Sequence, residues 1–350
     1  MTTKTALMLQ LAALAVVIVV IALVPGYVQI FTVMQLTLFA SMAVLALSLA
    51  FIWGFGGILS FGQTAFFGLG AYAYAVTAVN FQDSTPAIAM AVLVPSLFAV
   101  ALGYFTFYGR ISDVYFGVIT LTVTLILFNV ANSTSGQEYH IGRAQLGGFN
   151  GMPAVPTFNM PFNPSAPLYP EQGWYVTAGA LVAVYCMLRA ILAGRFGRVV
   201  VAVKENEIRA SLLGYDPRLI KLLAFTIGGG IAGLSGALYV NWGAFVSPNV
   251  FSLSLSAQII IWVTVGGLGT LLGPVIGAVL IEYIISSIGS QQVVNANLVL
   301  GAVLLIFVLL LPKGLVPTLR HLALEALHRI RKPAAPEAAP PAAAQPLGSK

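Results

Sequence analysis

Apolar runs of close to 20 residues, nearly free of charge, recur along the whole of this chain, at 7–23, 28–51, 64–80, 87–107, 115–131, 174–192, 222–240, 253–268, 271–288 and 296–311. About 20 helical residues cross a hydrocarbon core about 30 Å thick. In lipid every backbone N–H and C=O needs a partner within the chain, so such runs fold as helices. A membrane barrel would need segments of about ten residues with alternating polarity, and the sequence has none. Only 7% of the residues are charged, against roughly 25% in a soluble globular protein. The predicted fold class is therefore an all-α polytopic membrane protein with about ten transmembrane helices.

Charge fixes the expected orientation. Cytoplasmic loops carry an excess of Lys and Arg. Lys4, Arg110, the segment 189–221 and the tail from Lys313 are therefore expected inside. Segments 81–86, 132–172 and 242–252, with Arg143 as their one Lys or Arg, are expected outside. Ten crossings satisfy every assignment. The eighth run, 253–268, is short and ends in glycine, so a re-entrant segment is the competing reading. That reading puts the basic tail outside unless another crossing is gained or lost, so parity favours ten. The first run is longer than a signal-peptide core and lacks a small-residue cleavage site, which marks an uncleaved span. Cys186 is the single cysteine, which excludes an intrachain disulfide and a cysteine metal cluster. The net charge of +6 comes from cytoplasmic loops and tail and is no argument for nucleic acid.

The chain divides into a membrane domain, 1–317, and a cytoplasmic tail, 318–350. Residues 316–331 set Leu322, Leu324, Leu327 and Ile330 among basic residues, the pattern of a helix lying on the inner leaflet. The Pro/Ala-rich remainder is expected to be disordered or extended. The outer segment 132–172 holds six prolines and the aromatics Phe149, Phe158, Phe162 and Tyr169. These suggest an ordered cap over the membrane domain; a flexible connector is the plainer alternative.

Catalytic signatures are missing. There is no GxxxxGK[ST] phosphate loop, so ATP hydrolysis by that route is excluded, and no HExxH, CxxC or GxSxG. The histidines, His140, His321 and His328, are scattered. No metal or cofactor site is expected. Glu282 is the one clear charge within a span. It is either a functional carboxylate or a group satisfied at a helix interface. Proton- or sodium-driven carriers usually show more than one. Two glycine-rich stretches, 54–63 and 266–274, interrupt apolar runs near the inner face. Gly269, Gly273 and Gly277 recur every four residues, and Gly229 and Gly233 form a second such pair. Small residues at that spacing let helices approach closely. The alternative is that broken helices border a permeation path.

The inner segment 194–221 is the exception to the chain's apolarity. Ten of the 26 charged residues fall between Arg189 and Lys221. Val201, Ile208 and Leu212 share a helical face at i, i+7 and i+11, and Glu205 and Arg209 stand at i and i+4. Gly214 can close the helix in the left-handed conformation, and Asp216-Pro217 prevents continuation. The expectation is one short helix with an apolar stripe, fit either to dock in a partner's groove or to rest on lipid.

Four blocks together resemble a known family: 56–72 (GGILSFGQTAFFGLGAY), 115–122 (YFGVITLT), 194–221 with 222–225 and 232–239 (LLAF, AGLSGALY), and 265–274 (VGGLGTLLGP). The chain looks like the permease subunits of high-affinity branched-chain amino acid ABC importers, whose close relatives import urea and short amides. The resemblance runs from Val28 to Pro317. It implies a bacterial inner-membrane location, a homologous second permease, two cytoplasmic ABC ATPases and a periplasmic solute-binding protein. It also implies that 194–221 is the coupling segment, with Lys204, Glu205, Glu207, Ile208, Arg209, Leu212 and Gly214 as the coupling residues. Glu205, Glu207, Ala210 and Gly214 stand for a degenerate form of the family's EAA-type loop. The path is expected to present mild polar groups such as Ser60, Gln63 and Thr64, with Glu282 as a further candidate. Branched-chain or related amino acids lead as solutes; urea and short amides are the alternative, supported by Ile52-Trp53-Gly54, Gly214-Tyr215-Asp216-Pro217 and Ile261-Trp262-Val263. An ion-coupled carrier and a channel are the competing classes.

Overall fold

The computed structural model describes residues 3–160, 163–289, 301–302, 305 and 314–319. The named helices are α1 (Thr3–Tyr27), α2 (Ile30–Leu49), α3 (Gln63–Phe81), α4 (Ser84–Gly103), α5 (Asp113–Ser133), α6 (Pro170–Ala193), α7 (Arg195–Glu205), α8 (Glu207–Leu212), α9 (Pro217–Gly243), α10 (Leu253–Gly266) and α11 (Leu272–Gly289). Two of them run on into π-helical turns: α2 through Ala50–Phe55 and α4 through Tyr104–Tyr108. The first nine predicted runs are thus helical. The tenth, 296–311, and the amphipathic stretch 316–331 lie almost wholly outside the described residues.

Among the described residues five helices are long and apolar enough to cross a membrane: Ile30–Phe55, Ser84–Tyr108, Asp113–Ser133, Pro170–Ala193 and Pro217–Gly243. α10, the predicted weak run, has 14 residues, a rise of about 21 Å. It doubles back into α11 through a turn in which Gly267 (φ 114°) and Gly269 (φ 79°) take conformations that favour glycine. A side chain on Gly266 would strike the Gly273 carbonyl, and one on Gly277 the Trp262 carbonyl, so the pair forms a close antiparallel hairpin. Gly314 packs against Gly267, so the chain is again at the α10–α11 turn after leaving the far end of α11.

α9 is the central helix, packed against α2, α3 and α4. Its glycines explain how three neighbours fit. A Cβ on Gly233 would meet the Ala91 carbonyl and the Pro95 ring of α4. On Gly236 it would meet the Phe67 carbonyl of α3, and on Gly228 the side chain of Ile52. Below this close-packed stretch Phe225 fills the widening gap, with its ring edge-on to Phe66, Phe107 and Phe116 at 5.1–5.8 Å between centroids. α1 joins the bundle through α6, where the Trp174 indole N–H donates to the Ile21 carbonyl at 3.0 Å.

The described residues of segment 132–172 fold as a cap over the helix ends. It contains two small antiparallel hairpins, β1 (His140–Ile141) with β2 (Ala144–Gln145) and β3 (Asn159–Met160) with β4 (Asn163–Pro167). Polar side chains at the outer helix ends sew it down. Asn80 of α3 donates to the Ile141 carbonyl and accepts from the Arg143 N–H, at 2.8 and 2.7 Å. The Tyr74 hydroxyl donates to the Pro156 carbonyl (3.0 Å), and Asn241 of α9 accepts from the Phe158 N–H (2.7 Å). Asn159 bonds Ser84 and Asp83 at the start of α4.

Candidate functional site

Segment 194–221 is two helices rather than the one expected. Asn206 interrupts it with extended backbone (φ −162°, ψ 104°), and its side chain accepts from the Arg209 N–H at 2.8 Å, capping α8. The interruption breaks the predicted stripe. Val200 and Val203 are the valines that α7 buries, and Val201 is exposed. Ile208 and Leu212 do share α8, and both are open to solvent at 74% and 83% exposure, beside Leu213 at 72%. Glu205 and Arg209 fall on opposite sides of the break and do not pair. Gly214 takes φ 89°, and the N–H groups of Gly214 and Tyr215 return to the carbonyls of Ser211 and Ala210, closing α8 in a left-handed turn. Asp216 then caps α9 through the Arg218 N–H (3.0 Å), and Pro217 begins it.

Two of the predicted coupling residues face the protein. Lys204 reaches from α7 to the Gly54 carbonyl in the π-helical turn of α2, at 2.8 Å, with its stem packed against Gly57. Glu207 of α8 pairs with Lys221 of α9 at 2.5 Å, and Lys221 also holds Asp113 at the start of α5, at 3.2 Å. The Arg218 guanidinium lies 5.9 Å above the Tyr108 ring at the end of α4. The segment is thus strapped to α2, α4, α5 and α9 while its apolar face stays bare.

The strap leads to a break inside the bundle. After the π-helical turn the chain does not reach α3 as a helix: residues 57–62 are irregular. Leu59 and Phe61 lie on Gly117, and Gly62 abuts the Thr120 carbonyl and Thr124 of α5. Gln63, the first residue of α3, donates to the Gly228 carbonyl at 3.3 Å and to Ser48 at 2.8 Å. Gly228 stands about 17 Å along α9 from Pro217, so α3 begins well inside the membrane. Irregular backbone at that depth is tolerated where protein buries it or where it lines a cavity.

Ser60, Gln63 and Thr64, the predicted path residues, gather here, each at most 1% exposed. Thr64 shares a 2.6 Å hydrogen bond with Ser256 in the first turns of α10. They form a buried polar knot between helices, with no open path along them. Glu282 is elsewhere, half-buried in α11 and without hydrogen bond or ion pair among the described residues; one turn on, Ser286 accepts from Gln35 of α2 at 3.0 Å. Gly229 faces Ala99, Gly233 faces α4, and Gly273 and Gly277 face α10. Gly269 is not on a packed helix face: it lies in the turn, where a Cβ would meet nothing, while its backbone lies against Gly54. Sequence reasoning passed over Ser48, Ser256 and Gly228, which complete the knot. Ser48 could have been found as a serine within an apolar run and Ser256 as one of the alternating serines 252, 254 and 256; Gly228 takes part through its backbone carbonyl and left no such signal. Among the described residues no cluster of His, Cys, Asp or Glu fit to hold a metal ion occurs.

Residues 31–309 match the family described as the permease component of branched-chain amino acid transport systems. The chain is similar to the high-affinity branched-chain amino acid transport system permease protein LivM of Escherichia coli K12, with 26% identity over 313 residues, 79% of this chain and 68% of the relative. The LivM of Salmonella typhimurium shares 27% over 311 residues, with the same coverage. A shorter match, 30% over 123 residues and 35% of this chain, is to the autoinducer 2 import system permease protein LsrC of Salmonella paratyphi B, of which it covers 34%. No solved structure gives a significant match.

Proposed function

This chain belongs to the ABC-type permeases of branched-chain amino acid transport, and from that membership we propose that it is the inner-membrane subunit of an ATP-driven importer. The solute is a branched-chain or related amino acid, handed over by a periplasmic binding protein. ATP is hydrolysed by two separate cytoplasmic subunits, and a second, homologous permease completes the pathway. One observation carries this reading. The only strongly charged segment between spans presents a bare apolar face, Ile208, Leu212 and Leu213, and is tied by Lys204 to the broken connection between α2 and α3.

In this mechanism the loaded binding protein docks on the outer cap. The ATPases close on ATP and push α7 and α8. The push passes through Lys204 to the π-helical turn, and through Glu207, Lys221 and Asp113 to α9 and α5. Helices in glycine contact have little room to deform, so they move as packed bodies. The return of the chain to the α10–α11 turn at Gly314 supports an even number of crossings, with both termini cytoplasmic.

The test is purification of the tagged chain from native membranes in mild detergent. The expected result is that a P-loop ATPase and a second permease come with it. A chain that purifies alone and moves solute on a proton or sodium gradient would overturn the reading.

A further inference from the structure

We infer that the start of α3 is a weak binding station for the carboxylate and ammonium groups of a zwitterionic solute. This rests on the proposed function and deepens it by naming what the solute presents at that point. The N–H groups of the first turn of a helix lack intrahelical partners and need an acceptor from elsewhere. At most helix starts a side chain or water supplies it. Here the N-cap is Gly62, which has no side chain to offer. The Ala65 N–H reaches back to the Gly62 carbonyl at 3.0 Å. The N–H groups of Gln63 and Thr64 have no acceptor among the described residues, although both residues are at most 1% exposed. Two donors buried at membrane depth without partners are costly.

Side chains at the same place are also incomplete. The hydroxyl of Ser60, two residues before the cap, has no partner, and neither has Oε1 of Gln63. The Gly228 carbonyl can only accept, so it fixes the Gln63 amide with its nitrogen toward Gly228 and Ser48. Oε1 is thereby left as an acceptor. Unsatisfied donors and an unsatisfied acceptor thus fall within residues 60–64, the set that a carboxylate beside an ammonium would satisfy. The helix dipole adds about half a positive charge at this end, and no Lys or Arg lies in 57–66 to make the hold tight. In this structure the Thr120 carbonyl and Thr124 close the station against Gly62. A solute can reach it only if α5 moves off residues 58–62.

The test uses the assembled transporter, without binding protein, in detergent. L-Leucine, leucinol (its carboxylate replaced by CH2OH) and urea are compared at equal concentration as thermal stabilisers. Leucine is expected to raise the melting temperature by about 2–4 °C, and leucinol and urea to leave it unchanged. Gln63→Glu, which places a fixed carboxylate at the terminus, should abolish the leucine shift, and Ser60→Ala should reduce it. Equal shifts with leucine and leucinol, a shift with urea alone, or no shift with any of the three overturns the station without any variant. So does a Gln63→Glu transporter that keeps the leucine shift. ATP dependence of wild-type leucine uptake is measured in parallel. Its loss overturns the importer reading, whatever the thermal shifts show.

Discussion

At the residue scale, glycine marks where this fold has no spare room. Gly233→Ala drives a methyl group into the Ala91 carbonyl and the Pro95 ring. It should cost about 1–3 kcal/mol, read as a lower melting temperature of the detergent-solubilised protein. Gly179→Ala is the control: nothing lies within 4 Å of that position on α6, and the better helix former should raise stability by about 0.5–1 kcal/mol. Asp83 gives a prediction in pH. The Thr85 N–H, which it accepts as the cap of α4, holds its carboxyl below the usual range; desolvation opposes this, and the Thr85 hydroxyl and Asn159 add to the lowering. A carboxyl lowered in the folded state stabilises above its unfolded value and loses that effect as pH falls through the folded one. Wild type should therefore melt above Asp83→Ala at neutral pH, and the difference should vanish in acid below the ordinary carboxylate range. A difference independent of pH would contradict the cap. The four-residue spacing of Gly229 and Gly233 was legible in the sequence. That Gly269 serves a turn was not, because glycine looks alike whether it lacks a side chain for packing or for backbone conformation.

At the element scale, α7 and α8 form a rigid strap with a free face. Ile208→Asp with Leu212→Asp changes two side chains that touch little of this protein. ATP-dependent uptake should fall at least tenfold, a loss of about 1.4 kcal/mol or more, with the melting temperature of the chain unchanged. Retained uptake in that double variant would remove the docking face. Gly214→Ala forces a side chain into φ 89° and should cost about 1–2 kcal/mol locally, detected as faster hydrogen exchange across α8. The sequence pointed to a helix here, to its closing glycine and to its apolar residues. The break at Asn206 was hidden because asparagine caps and interrupts through the same side-chain oxygen, and a period of 3.6 drawn across it placed Val201 on a face it does not share. The pairing of Glu207 with Lys221 in place of Glu205 with Arg209 follows from that break.

At the scale of the whole molecule, the membrane fold was legible because lipid leaves the backbone few choices. Run lengths and charge placement located nine helices within a few residues. The structure gathers Arg110, Asp113, Lys204 and Arg218 at one end and the cap at the other. The depth at which α3 begins was not legible, since a connection buried by neighbours and one lying at the surface read alike in sequence. Nor was the stitching of the cap by Asn80, Asn159 and Asn241, which depends on contacts far apart in the chain. The central claim is that the permease moves solute only when a nucleotide-driven partner works its inner strap. Its most direct test is uptake of radiolabelled leucine into proteoliposomes holding either the native assembly or this chain alone, with ATP, a proton gradient or a sodium gradient supplied in turn. Uptake by the assembly with ATP, and by neither preparation on an ion gradient, is the predicted result; gradient-driven uptake by the chain alone would contradict it.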